Sequence, residues 1–435
     1  MPVTAVRPGA LDALPPRPGS IPPEEGHLSR HALHLGHPAL RTADGHHRDE
    51  RRTSWLELFF DLAFAGAVGQ LAGALQSHPG LGALARFGVL FTPIWWLWVQ
   101  LTFYADRHES NDAAHRVSFL AAILLCVGLA ASASRALAGS TTGFVMAFAA
   151  LRGLQLLLYA RARRHLPATR PLYSCYLVCF GAGGALWLAS LTAGGSARYA
   201  FWGTALLVDA AGSLAMLAPG RRVPLNTAHL GDRFQIFVLI VLGESMARLI
   251  SAAAMRPWSL PLAVVLAAAL ITLAALWWAW LTTTTAGRGA LDSQSAIARF
   301  TALNLPIVAG VAAASSGLHI AILAADGEGA IPTGPRAALY GGVSVYLLAS
   351  AILPSAKVSR PARVARLAAA LAAMGLVFMG AIVEPVYLVP ALAIVLVTGL
   401  AAEACLRASA HDDAAPASSQ PTAGQPAPQR GTCWR

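Results

Sequence analysis

The stretch WLELFFDLAF, Trp55–Phe64, sets two carboxylates, Glu57 and Asp61, inside a run otherwise as apolar as a membrane helix. The run continues to about residue 75. That is close to the ~20 residues a helix needs to cross a hydrocarbon core about 30 Å thick. Reading outward, eleven similar runs follow, at about 87–104, 117–137, 142–160, 172–191, 199–217, 234–250, 260–281, 300–323, 337–353, 364–383 and 386–406. The expected fold is an all-α, polytopic transmembrane bundle of about twelve spans.

Composition agrees. Of 435 residues, 56% are hydrophobic and 12% charged, and the mean hydropathy is +0.56. A soluble domain carries about 25% charged residues. The formal charge of +11 points to no nucleic-acid partner, because no basic helix or aromatic-interleaved patch is present. The positive charge concentrates in the connections instead.

With the N-terminus inside, the internal connections hold Arg107, Arg116, Arg161, Arg163, Arg164, Arg170, Arg221, Arg222, Arg233, Arg288, Arg299, Lys357, Arg360, Arg363 and Arg366. The external side holds Arg86, Arg135, Arg198, Arg248, Arg256 and Arg336. Basic residues accumulate on the cytoplasmic side, so both termini are expected in the cytoplasm of a bacterial inner-membrane protein.

Residues 1–50 and those from about Ala408 onward lack apolar periodicity and read as disordered cytoplasmic tails. The first has no apolar core of a signal peptide. It holds six histidines, His27, His31, His34, His37, His46 and His47. These read as a solvated tail rather than a weak metal site. The cysteines show no zinc or disulfide spacing; Cys175 and Cys179 share a helix face and read as structural thiols.

The remaining chain divides into two six-span halves, 51–218 and 219–407. Trp95, Trp96 and Trp98 align with Trp277, Trp278 and Trp280, and ELFFDLAFAGAVGQ from Glu57 aligns with DRFQIFVLIVLGES from Asp232. Halves with an even number of spans would be parallel repeats, a plan on which transporters build a site between repeats.

At 1.5 Å per residue, Glu57 lies about 3 Å and Asp61 about 9 Å inside the first span. They share a face at i and i+4, with Gln70 read as further along it. An aspartate within a membrane helix costs about 2.5–3.5 kcal/mol on insertion scales, so a packed interior or wet cavity must receive it. Arg152, Asp209 and Glu244 fall near the middle of spans four, six and seven, with Arg248 one turn beyond Glu244. Gln100, Gln155, Asn304 and His319 add hydrogen-bonding groups. Equal depth makes Glu244 the expected partner of Arg152, with Asp209 next. Two readings of these residues stand: a salt-bridge network that fixes helix packing, or a site that handles protons, ions or a polar solute.

No enzyme signature is present, and no metal or cofactor is expected. His108, Glu109 and His115 do not have zinc-helix spacing. LGESM lacks the second glycine of a nucleophile elbow. FGAGGALW, Phe180–Trp187, reads as close helix packing.

Four motifs in order, WLELFFDLAF, FYADRHESNDAAHR, RFQIFVLIVLGES and LNLPIVAG, resemble the bacterial low temperature requirement A family of polytopic membrane proteins, over about residues 50–407. The family is named for a growth phenotype in the cold, so the resemblance implies a fold and no chemistry. It carries over Glu57, Phe59, Asp61 and Gln70 of the first span, Arg107, Asp112 and Arg116 of the following loop, Arg152, and Gly243, Glu244 and Ser245. The chain departs from the pattern at Asp106, where asparagine is expected, at Thr282, where an aspartate is common, and at Asn304, where a histidine is usual. The expected activity is secondary transport or permeation of a small polar or charged solute, with the bilayer as the chief partner. The alternatives are a non-transporting sensor, scaffold or assembly factor, and an intramembrane lipid-modifying enzyme.

Overall fold

The computed structural model describes residues 39–40, 53–78, 80–109, 113–215, 225–284, 291, 293–327, 330–353 and 360–412. Helices dominate. They are α1 Trp55–Ala74, α2 Leu81–Arg107, α3 Ala113–Leu137, α4 Thr142–His165, α5 Arg170–Ala189, α6 Gly195–Ala215, α7 Thr227–Ala254, α8 Leu260–Thr284 and α9 Gln294–Leu323. The tenth rod, α10, is built from Thr333–Arg336, a π-helical turn Ala337–Gly341 and Gly342–Ile352. Arg360–Met379 forms α11 and Pro385–Asp412 forms α12. Each rod takes up one of the twelve apolar runs.

Ten of these helices are long and apolar enough to cross a membrane. Large apolar side chains point outward along them, including Leu124, Leu157, Val178 and Leu371. An exterior of that kind suits lipid rather than water.

Local chemistry sets the helix starts. Ser54 caps α1 in a capping box: its Oγ accepts from Glu57 N–H at 3.2 Å, and Glu57 Oε2 accepts from Ser54 N–H at 2.9 Å. Asn226 and Ser293 accept from His229 N–H and Ala296 N–H to cap α7 and α9. Several helices outrun their apolar cores. In consequence Arg107, Arg233 and Arg366, read from sequence as loop charges, lie within helices and are buried.

The packing order in the two parts of the chain is similar. α1 packs on α3, α3 on α4, α4 on α5 and α5 on α6; α7 packs on α9, α9 on α10, α10 on α11 and α11 on α12. The match is incomplete, since α12 also lies against α8 while α6 has no such contact with α2 among the main packing pairs. α1 meets α7 and α9. Asp61 pairs with Arg233, and Gly69 O accepts from Arg248, so α1 and α7 run parallel. Of the aligned tryptophans, Trp95 and Trp98 are buried in the core, whereas Trp277 and Trp278 face outward and only Trp280 is buried.

The tails lie outside the described residues with two exceptions. Ala39–Leu40 pairs antiparallel with His108–Glu109, and α12 continues to Asp412 rather than ending near residue 407.

Candidate functional site

One polar centre lies where α1, α2 and α7 meet. Asp61 is fully buried; its Oδ1 accepts from Trp98 Nε1 at 2.8 Å and from Arg233 Nη2 at 2.5 Å, and its Oδ2 accepts from Arg233 Nε at 3.1 Å. This forked arrangement is the strongest geometry open to an arginine and a carboxylate. Glu57 does not snorkel. It stands 3.6 Å from Arg233 Nη1 and 3.7 Å from His229 Nε2. His229 Nδ1 lies 2.9 Å from Asp106 Oδ1, and Asp106 Oδ2 accepts from Asn226 N–H at 2.7 Å. Phe234 and Phe237 pack edge-on against Trp95 beside the centre.

A second centre lies between α2, α4, α5 and α6. Arg152 Nη2 donates to Asp209 Oδ2 at 2.5 Å, and Nη1 donates to Gln100 Oε1 and Gln155 Oε1, each at 3.0 Å. Gln155 Nε2 also bonds Gln100 Oε1 and donates to Tyr159 Oη at 3.1 Å. Phe148 and Phe180 flank the guanidinium at 5.2 and 5.1 Å.

Two glycines of α5 make this pair possible. A Cβ on Gly183 would lie 3.2 Å from Asp209 Cγ and closer still to Oδ1, and one on Gly184 would lie 3.1 Å from Arg152 Cγ. The glycine run therefore does more than bring helices together: it holds room for a charged pair. Not every polar atom here is matched. Arg152 Nε, Gln100 Nε2 and Asp209 Oδ1 have no hydrogen-bond partner among the described residues.

The expected pairing of Arg152 with Glu244 is not found. Glu244 Oε1 accepts from Arg248 Nη2 at 2.9 Å within α7, and Arg248 also donates to Gly69 O on α1. α4 is not among the main packing partners of α7, and the second expected partner, Asp209, takes the place of Glu244. A further buried pair, Arg366 with Glu403, joins α11 to α12 at 2.6 Å, and Thr283 of α8 accepts from Arg366 at 2.6 Å.

The sequence profile described as "Bacterial low temperature requirement A protein (LtrA)" matches residues 52–402. The chain belongs to this family. A relative in Rhizobium meliloti (strain 1021), the uncharacterized protein RA0937, is 26% identical over 207 residues. That match covers 46% of this chain and half of the relative's length. No solved structure matches.

The residues carried over from the low temperature requirement A pattern separate into groups. Glu57 and Asp61 share the first centre, and Arg152 holds the second. Gln70 joins neither and is exposed. Nine residues from Asp61, at 3.6 per turn, it points to the opposite side of α1. Ser245 is buried and bonds back to Val241 O at 2.8 Å. Arg107 is buried at the end of α2, Arg116 is exposed on α3, and Asp112 lies outside the described residues.

The departures have structural outcomes too. Asp106 adds a charge that faces His229. Thr282 bonds to Ala279 O of its own helix at 3.1 Å, and Asn304 Nδ2 donates to Phe300 O at 2.8 Å. Sequence reasoning missed Arg233, His229 and Glu403 as site residues. The signal for Arg233 was its position one residue after Asp232 and directly before an apolar run, where a helix start and a loop read alike. Cys175 and Cys179 do share a face, half-buried, with their sulfurs 3.7 Å apart.

Proposed function

We propose that the protein is a secondary transporter or permease for a small polar or charged solute rather than an enzyme. It would reside in the bacterial inner membrane with both termini in the cytoplasm, as the distribution of arginine across its connections suggests. Its two six-helix halves would be a duplication, supported by their similar packing order and by the parallel course of α1 and α7.

The observation that carries this reading is the Arg152–Asp209 centre. A buried ion pair is a poor way merely to stabilise a helix bundle, since apolar packing of the same volume usually does as well. This centre also keeps hydrogen-bonding capacity in hand at Arg152 Nε, Gln100 Nε2 and Asp209 Oδ1. A small solute with one donor and one acceptor would satisfy such atoms, and the flanking Phe148 and Phe180 would exclude water around it.

The Asp61–Arg233–Trp98 centre favours the non-transporting reading for its own residues. Arg233 Nη1 has no hydrogen-bond partner among the described residues, but both Asp61 oxygens are matched across three helices, which suits a clamp between α1, α2 and α7.

Ligand-dependent thermal stability in detergent tests the reading. Members of a panel of small polar solutes should raise Tm in the wild-type protein and fail to do so in Gln100→Leu. A panel that shifts neither protein would overturn the assignment of the solute to this centre.

A further inference from the structure

Among the described residues, Glu244 differs from the carboxylates that are buried in the bundle. Glu57, Asp61, Asp106, Asp209 and Glu403 have side chains at most 4% exposed, whereas the Glu244 side chain is 37% exposed and that of its partner Arg248 14%. Glu244 is not near a helix end. It lies about 25 Å along α7 from Thr227 and about 15 Å short of Ala254.

The pair sits in a notch cut for it. A Cβ on Gly69 would lie 2.7 Å from Glu244 Cγ and 2.9 Å from Arg248 Nη2, and a Cβ on Gly73 would lie 2.6 Å from Arg248 Nη1. Gly69 and Gly73 are a G-x-x-x-G pair. Such pairs usually bring two backbones together, yet here they hold charged side chains off the helix. Gln70, the next residue on α1, is exposed as well. Charged and amide groups open to hydrocarbon at this depth are costly. A water-filled crevice would remove that cost.

We propose that Glu244 is the carboxylate through which the protein exchanges protons with bulk water, by an aqueous crevice along α1 and α7. The proposal rests on the transport reading and names its coupling group. The step is simple: the carboxylate takes one proton from water and returns it, and Arg248 keeps its bond to Gly69 O throughout. The ionisable groups facing Glu244 are few. Arg248 comes from its own helix, and His319 of α9 bonds Arg248 O at 3.1 Å. α1 offers only glycines and Gln70 here, and α8 has no ionisable side chain.

The test uses the full chain in proteoliposomes and two carbodiimides. A water-soluble carbodiimide with an amine nucleophile converts an accessible carboxyl to an amide, which peptide mass spectrometry locates. Glu244 should be modified, and Asp61 and Asp209 should not. Gln70→Cys should react with a charged maleimide above the level that the native cysteines give. Modification of Glu244 only by a membrane-soluble carbodiimide would mean that it faces lipid, and modification by neither would mean that protein covers it. Either result overturns the proposal. Labelling reads water access and not flux, so a failure of the transport reading would be seen separately.

Discussion

Arg152 on α4 and Asp209 on α6 meet at 2.5 Å in front of α5, because Gly183 and Gly184 leave the space that two side chains would fill. Both residues are 1% exposed. Removing one partner of such a pair leaves a buried charge and costs about 3–5 kcal/mol. Asp209→Asn should lower Tm sharply, and adding Arg152→Gln should recover part of the loss. A double-mutant cycle on thermal or denaturant unfolding should give a coupling of about 0.5–3 kcal/mol. The same cycle between Arg152→Gln and Glu244→Gln should be additive, since those two do not touch.

Gly183→Ala probes the same pair from the other side. The new methyl would displace the Asp209 carboxylate and lower Tm nearly as much as Asp209→Asn. Gly66→Ala is the control: nothing lies within 4 Å of its Cβ position. There alanine should be neutral or slightly stabilising, by up to about 1 kcal/mol from helix propensity.

At the α1–α2–α7 centre the expected losses are graded. Trp98→Phe removes one hydrogen bond to a charged acceptor, worth about 1.5–3 kcal/mol. Asp61→Asn leaves Arg233 without its forked partner and should cost more. Arg233→Lys should not rescue, because an ammonium cannot make two parallel bonds to Asp61. Unfolding monitored by tryptophan fluorescence would rank the three; a larger loss for Trp98→Phe than for Asp61→Asn would contradict the assignment.

How much of this was legible beforehand follows from the physics of each element. All twelve rods were readable as apolar helical runs, and ten of them are long and apolar enough to cross a membrane. Partners were not: Arg152 has acids of similar depth on α6 and α7, and only the packing order selects Asp209. Arg233 and Arg107 were misread as loop charges because a helix that outruns its apolar core has no hydropathy signal at its end. Gln70 does not share the Asp61 face, because nine residues at 3.6 per turn place it on the opposite side of α1.

A pH effect follows from His108, just beyond the end of α2. Burial pushes its imidazole down to about 4, from an ordinary value near 6.5. The fold therefore favours the neutral ring, whose Nδ1 lies 2.8 Å from Tyr104 O. The stability this contributes is fully present above about 6.5 and is lost as pH falls through about 4. Melting curves between pH 7 and 4 should show a fall in Tm that is smaller in His108→Gln. Equal slopes for the two proteins would show that His108 does not titrate in this window.

The central claim is that the Arg152–Asp209 centre handles a solute that crosses the membrane. Solute flux into proteoliposomes under an imposed pH gradient tests it most directly. The account predicts gradient-dependent uptake of at least one small polar or charged solute, abolished by Asp209→Asn in protein that remains folded. Uptake no greater than that of empty liposomes across the panel, or uptake unaffected by Asp209→Asn, would contradict it.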